Sequence, residues 1–410
     1  MTAPFYKGTW QFTVDVTSPY PTWFDSSGRA VNCPYILGGN SIHYWTEIEA
    51  TEGVRDWTAI DDDITAWGGK KTIIRVSHSD QAAWGDTSTN IGTYGGVANC
   101  HSGTPMWLYN NYGVTPLLES SVAAFDTLIP PCWNQTFQTK YSAFITALAA
   151  KYDGNPNVFA IQIGIGNGGE TLVDQNTGSG ASLGNPLVSV DQNRRNICYA
   201  AGYTDPVWWT YLQWIVNTYR TAFVQTPLIV LCDLLPFLGN LSSGIATNDG
   251  TNTYVRQLLL NWTDTLTNPG VYNQTDKLTN TLTLNGYWYN NGAHKPLGLI
   301  AEQYNAAIAA NRTLLGDLQN GITILQSIYT LLYGSDIYDA NLAVPGQPGG
   351  LVPSATSAAS LAALQWAQNT ITSHQSGMNS RGPAVSGGVS GASYSGASPL
   401  KYTATEGGIP

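Results

Sequence analysis

The chain has 410 residues, with 17 Lys or Arg against 27 Asp or Glu and a net charge of −10. Charged residues make up 11% of it, less than half of the roughly 25% usual in soluble proteins, and so few cations exclude a nucleic-acid backbone as partner. No run of about 18 apolar residues is present, which excludes a membrane-spanning helix. In chain order, WQFTVDV (10–16) alternates like a first strand and YILGGNSIHYW (35–45) like a second. Trp57, Ile60, Ile64 and Trp67 recur at helical spacing and stop at Gly68-Gly69. TIIRVSH (72–78) is a short β-branched run of the kind found in buried parallel strands. The segment 79–133 is too long for a plain connection and is expected to be a functional excursion. A helix over 137–152 leads into NVFAIQIGIG (157–166), the clearest strand. A loop at 171–200 follows, then a helix at 206–224 with Pro206 in its first turn, and a fifth strand, PLIVLCDLL (227–235). The pattern goes on with a helix at 255–266 and strands LTLNGYWY (282–289) and PLGLIAEQY (296–304). It ends with a helix at 314–333, strand SDIYDANL (335–342) and a helix at 357–374.

Eight strands with helices between most of them predict an α/β fold, a (β/α)8 barrel over 1–375 with long loops. Residues 376–410 are mostly Gly, Ser, Ala and Pro and form a tail or arm. The start, MTAPFYKGTW, lacks the charged and apolar regions of a signal peptide. Low charge, abundant Asn, Thr, Ser, Gln and Gly, 14 Trp and 23 Tyr still point to an extracellular or surface-exposed setting and neutral polar ligands. The five cysteines form no C-x-x-C pair, which leaves one or two disulfides or buried free thiols.

Only seven residues are glutamate. Glu170 lies just past the fourth expected strand and Glu302 at the end of the seventh. Barrel active sites sit at these strand ends. Two carboxylates there can face each other across a glycosidic bond, one protonating the leaving oxygen while the other attacks the anomeric carbon. Around them, Arg75 is expected to hold the nucleophile ionised, and Tyr287 or Tyr289 to donate to Glu302. Trp45 and Trp107 offer rings that stack on a sugar, while His78 is expected to contact a sugar hydroxyl and Asp233 to line the cleft. Each of these side chains also has an ordinary structural reading, as core packing or an internal ion pair. GIGNGG (164–169) fits G-x-G-x-x-G, but a loop-like stretch follows where a dinucleotide site needs a helix. No P-loop and no G-x-S-x-G motif occurs.

Several segments, in order, carry a family resemblance: YWTEIEATEGVRDWTAIDDDI (44–64), TIIRVS (72–77), TPMWLY (104–109), FITALAAKYDGNPNVFAIQIGIGNGGE (144–170) and GLIAEQ (298–303). Over about residues 10–345 the chain resembles the clan of retaining β-glycoside hydrolases, closest to the β-galactosidase-like families 35 and 42. That resemblance implies Glu170 as acid/base, Glu302 as nucleophile, an oligosaccharide or polysaccharide substrate, and no metal or organic cofactor. It also implies an Asn directly before the acid/base, to bind the sugar 2-hydroxyl. Here Gly169 stands in that place and the nearest Asn is Asn167. A second reading follows from this departure, the low charge and the tail. The chain would then be a lapsed hydrolase barrel with a structural, adhesive or carbohydrate-binding role in a surface layer, filament or virion. Copies would join as a homo-oligomer or polymer through the tail.

Overall fold

The computed structural model describes residues 8–12, 25–27, 29–79, 91–120, 126–166, 169, 171, 198, 200–231, 259, 262, 263, 266, 270–275, 296–299, 334–338, 362, 364–366 and 369. The described elements begin with β1 (Gly8–Phe12), β2 (Ile36–Tyr44), α1 (Trp45–Ile48), α2 (Thr58–Ala66) and β3 (Lys71–Ser77). The next are β4 (Ile91–Tyr94), β5 (Val97–His101), α3 (Met106–Tyr112), β6 (Leu117–Ser120), β7 (Asp126–Ile129), α4 (Gln135–Tyr152) and β8 (Val158–Ile163). They end with α5 (Asp205–Ala222), β9 (Leu228–Leu231), β10 (Val271–Thr275), β11 (Pro296–Leu299) and β12 (Gly334–Tyr338).

Eight of these strands form one sheet in the order β11-β10-β9-β8-β3-β2-β1-β12. Every neighbouring pair is parallel. Read from β1, the strands follow one another in chain order, and the last pairs with the first. The two ends, β11 and β12, approach within 8 Å (Cα–Cα) without a ladder between their described residues. This is the (β/α)8 arrangement expected from the strand count. The sixth place belongs to Val271–Thr275, paired with both β9 and β11. The stretch 282–289, expected to fill it, lies outside the described residues, as do the helix at 314–333 and the tail. The excursion at 79–133 holds a second sheet, β4-β5-β7-β6, together with α3.

Local chemistry sets the element boundaries. Asn134 caps α4, its side chain accepting from the backbone N–H groups of Thr136 (2.9 Å) and Phe137 (3.1 Å). Thr204 caps α5 in the same way through Val207 N–H (3.2 Å), with Pro206 in the first turn. At the far end of α4, Gly154 turns the chain at φ 74°. There the Asp153 carboxylate accepts from the N–H groups of Val224 (3.0 Å), Gln225 (3.0 Å) and Thr226 (2.8 Å). That knot ties the two helices together where β8 and β9 begin, on the face of a barrel that serves stability.

The strands have two unlike faces. Ile74 and Val76 of β3, Ile161 and Ile163 of β8, and Leu228 and Val230 of β9 share one buried apolar cluster with α4 and α5, including Tyr141, Phe144, Leu148, Leu212, Ile215 and Tyr219. Alternation sends the intervening residues to the inner face. Ile42, Arg75, Gln162 and Ile229 are in register there, and one step below them lie Asn40, Ile73 and Ala160. Asn40 Nδ2 donates to Gln162 Oε1 across β3 (3.0 Å), a bridge that a concave inner face favours. Among the cysteines, Cys33, Cys100, Cys132 and Cys198 are buried thiols outside any disulfide, the thiol alternative of the two expected. Among the described residues no helix is long and apolar enough to cross a membrane.

Candidate functional site

The carboxyl rim of the sheet is formed, among the described residues, by Tyr44 on β2, Ser77 and His78 at the end of β3, Ile163 to Gly166 at the end of β8, and Leu231 on β9. Glu170, Glu302, Asn167, Asp233, Tyr287 and Tyr289 lie outside the described residues. The neighbours of Glu170 are described. Ile165 N–H donates to Gly169 O (3.4 Å), Gly169 N–H to Gly166 O (2.9 Å) and Thr171 N–H to Leu231 O (3.2 Å). The excursion after β8 therefore closes on itself, and at Thr171 the chain is bonded to the end of β9. On β11, the last described residue is Leu299, three positions before Glu302.

Arg75 lies on the inner face, 4% exposed. Its aliphatic stem runs under Gly169: a Cβ built on that glycine would stand 2.8 Å from Arg75 Cδ. Gly169 also has φ +81°, a conformation that strains residues with a side chain. The close approach of Arg75, which leaves no room for a Cβ, is the physical reason for Gly at this position. Beside Arg75 in register is Gln162, fully buried. Its Oε1 is taken by Asn40, whereas its Nε2 has no hydrogen-bond partner among the described residues. Sequence reasoning missed this pair, although a lone Gln in AIQIG and a lone Asn in GGNSI were visible as polar breaks in buried strands.

Three expected ligand-facing residues belong instead to the core. Trp45 is fully buried, donating through Nε1 to Glu49 Oε2 (3.0 Å) and packing edge-on against Trp107 with ring centroids 5.6 Å apart. Trp107 donates through Nε1 to the Glu49 carbonyl (2.9 Å). The Glu49 carboxylate also accepts from Gly53 N–H (2.7 Å) and pairs with Arg55 (3.2 Å). The YWTEIEATEGVR segment is thus a satisfied knot, and neither ring has a free face for a sugar. His78 is also fully buried, on the helix side of the sheet. Its ring meets Phe137 and Tyr141 edge-on at 5.0 and 5.2 Å. Burial pushes its pKa down to about 4, so the ring is neutral. Its Nε2 donates to Ile165 O (2.8 Å), which rules out contact with a substrate hydroxyl by that nitrogen.

No family model matches the chain, and no curated protein matches it in sequence. Solved structures match it in shape. The catalytic domain of a β-amylase from Paenibacillus polymyxa superposes with a TM-score of 0.54 at 12% identity, over 90% of this chain and 100% of that one. Endo-glycoceramidase II from a Rhodococcus species gives a TM-score of 0.46 at 14% identity, over 88% of this chain and 80% of that one. At such identity the first likeness speaks for the barrel fold alone.

Proposed function

We propose that the chain is a glycoside hydrolase that cleaves β-glycosidic bonds with retention. Glu170 is the general acid/base and Glu302 the nucleophile. The observation that carries this reading is the pair of anchors around Glu170: Gly169 closed back onto Ile165 over Arg75, and Thr171 bonded to Leu231 at the end of β9. Glu170 lies seven positions beyond Ile163, a reach of roughly 23 Å for an extended chain. At Gly169, directly before it, the chain is instead bonded back to Ile165 and Gly166.

In the first step Glu170 protonates the glycosidic oxygen while the Glu302 carboxylate attacks the anomeric carbon, forming a covalent glycosyl-enzyme. In the second, Glu170 takes a proton from water, which displaces Glu302 and returns the original anomer. The two carboxyl groups then stand about 5–5.5 Å apart. Arg75 supplies positive charge on the inner face, favouring an ionised carboxylate nearby. The acid keeps a raised pKa and the nucleophile a low one. The comparison with β-amylase adds a carbohydrate-hydrolysing precedent for this shape, and the substrate class we infer is an oligosaccharide or polysaccharide.

Glu302→Gln should abolish turnover of an activated aryl β-glycoside, and NMR of the first product should show the β-anomer. Unchanged turnover in the variant would remove Glu302 from the reaction. First release of the α-anomer would replace retention by inversion.

A further inference from the structure

Behind the rim, on the helix side, lies a group of buried polar side chains inside an otherwise aromatic core: His78, Cys132, Tyr141, Tyr211 and Tyr219. A buried hydroxyl without a partner lowers stability. These side chains instead engage one another and main-chain carbonyls at the strand ends. Tyr141 OH donates to Val76 O (3.2 Å) and stands 3.3 Å from Tyr219 OH. His78 Nε2 donates to Ile165 O (2.8 Å), and Tyr211 OH donates to the same carbonyl. His78 is held in turn, because Thr104 Oγ1 donates to its carbonyl (2.6 Å). Ile165 lies two residues beyond the end of β8, and its N–H closes the excursion onto Gly169. One peptide segment thus joins the helix layer, through its carbonyl, to the residue directly before Glu170, through its amide.

We propose that Tyr211 and His78 are positioning residues for the general acid: by holding the Ile165 carbonyl they fix the turn that ends at Gly169, directly before Glu170. This rests on the assignment of Glu170 as acid/base. Neither residue touches substrate, so binding is not their role. Their loss should matter in proportion to how much the leaving group needs a proton. A nitro-substituted phenolate departs unprotonated, whereas an unsubstituted phenolate needs the acid. Well-placed acid catalysis contributes about 10²–10⁴-fold, and a misaligned acid forfeits part of that.

The test uses the full chain and a series of aryl β-glycosides from dinitrophenyl to phenyl, with kcat and KM measured separately. For Tyr211→Phe, which keeps the ring and removes the donor, kcat/KM on the phenyl substrate should fall about tenfold. On the dinitrophenyl substrate kcat/KM, which reports the first step alone, should fall less than about twofold. His78→Leu should repeat this pattern, and His78→Gln, which retains an N–H near the Nε2 position, should restore most of the rate. Circular dichroism and thermal unfolding report folding for each variant, and the His78 pair carries the test if Tyr211→Phe fails to fold. Equal losses across the series, or equal rates for His78→Leu and His78→Gln, would overturn the positioning role. Glu170→Gln on the same series separates the two claims. If it shows steep leaving-group dependence while Tyr211→Phe shows none, only the positioning role falls. If Glu170→Gln shows none either, the acid assignment falls and takes the positioning role with it.

Discussion

The two faces of β2, β3 and β8 are built from one stretch of backbone and do opposite things. On the helix face, aliphatic strand residues meet the aromatic rings of α4 and α5, and buried polar groups reach carbonyls such as Ile165 O and Val76 O, while His78 Nδ1 has no partner among the described residues. On the inner face Arg75, Asn40 and Gln162 are buried together, and Gln162 keeps a donor with no partner among the described residues. A buried donor left without a partner lowers stability, and this one stands in register with the Arg75 cation. The comparison predicts that changes on the helix face act first on stability, and that changes on the inner face act first on activity.

The largest effect expected on the helix face comes from pH. His78 has a folded pKa of about 4 against an ordinary value of 6.5, because burial disfavours its charged form. The unfolded chain therefore takes up a proton first as pH falls. Stability from this group is whole above pH 6.5, declines between 6.5 and 4, and is then lower by about 3 kcal/mol. The groups around the ring do not titrate in that window: burial pushes Cys132 up to about 12 and raises Tyr141 and Tyr211 well above their usual range. Urea unfolding at pH 7.5 and 4.5 should show this loss in the wild type and a flatter profile in His78→Gln. An identical pH dependence in the two proteins would show that His78 titrates normally and is not sealed in the core.

A smaller effect tests the junction between the faces. Gly169→Ala puts a methyl group at φ +81° and within 2.8 Å of Arg75 Cδ. Backbone strain of this kind costs about 1–3 kcal/mol, and Arg75 must also shift away from the rim. Thermal unfolding should register the strain, and kcat should fall with it. If kcat is untouched while the protein is destabilised, the contact between Gly169 and Arg75 is mere packing and the two faces are not linked there.

Much of this was legible in the sequence, for identifiable reasons. TIIRVSH and NVFAIQIGIG contain strands buried on both faces, so their apolar runs marked β3 to within one residue at each end and β8 with its C-terminal end three residues too far. The sixth strand was missed because VYNQT carries little hydrophobic signal. It is a strand through its pairing with β9 and β11, whereas LTLNGYWY has the stronger alternation. Trp45 and Trp107 could not be told from a sugar platform by composition, since both uses require an apolar ring. The deciding feature is where each Nε1 donates, and both donate to Glu49. That also tempers the argument from scarcity. Glutamate is rare here, yet Glu49 is buried in a structural knot and Glu52 bonds Lys140 (2.7 Å) and Tyr112 (2.9 Å) at the surface. The positive φ of Gly169 has no sequence signature beyond the glycine itself.

The smallest expected effect is the sharpest, because one of its two readouts should fall while the other stays nearly still. Gln162→Leu replaces the amide by an apolar group of similar size. Asn40 loses one acceptor, which costs about 1 kcal/mol, but the protein no longer buries an amide N–H without a partner, which returns about as much. Unfolding free energy should therefore change by less than about 1 kcal/mol. Activity should not be spared. Gln162 lies in register with Arg75, and its Nε2–H, without a partner among the described residues, can donate to a carboxylate or hydroxyl drawn toward that cation. Loss of one such bond lowers kcat/KM by about tenfold, equivalent to about 1.4 kcal/mol. A variant that is markedly less stable and equally active would make Gln162 part of the packing, and the inner face would then differ from the helix face in composition only.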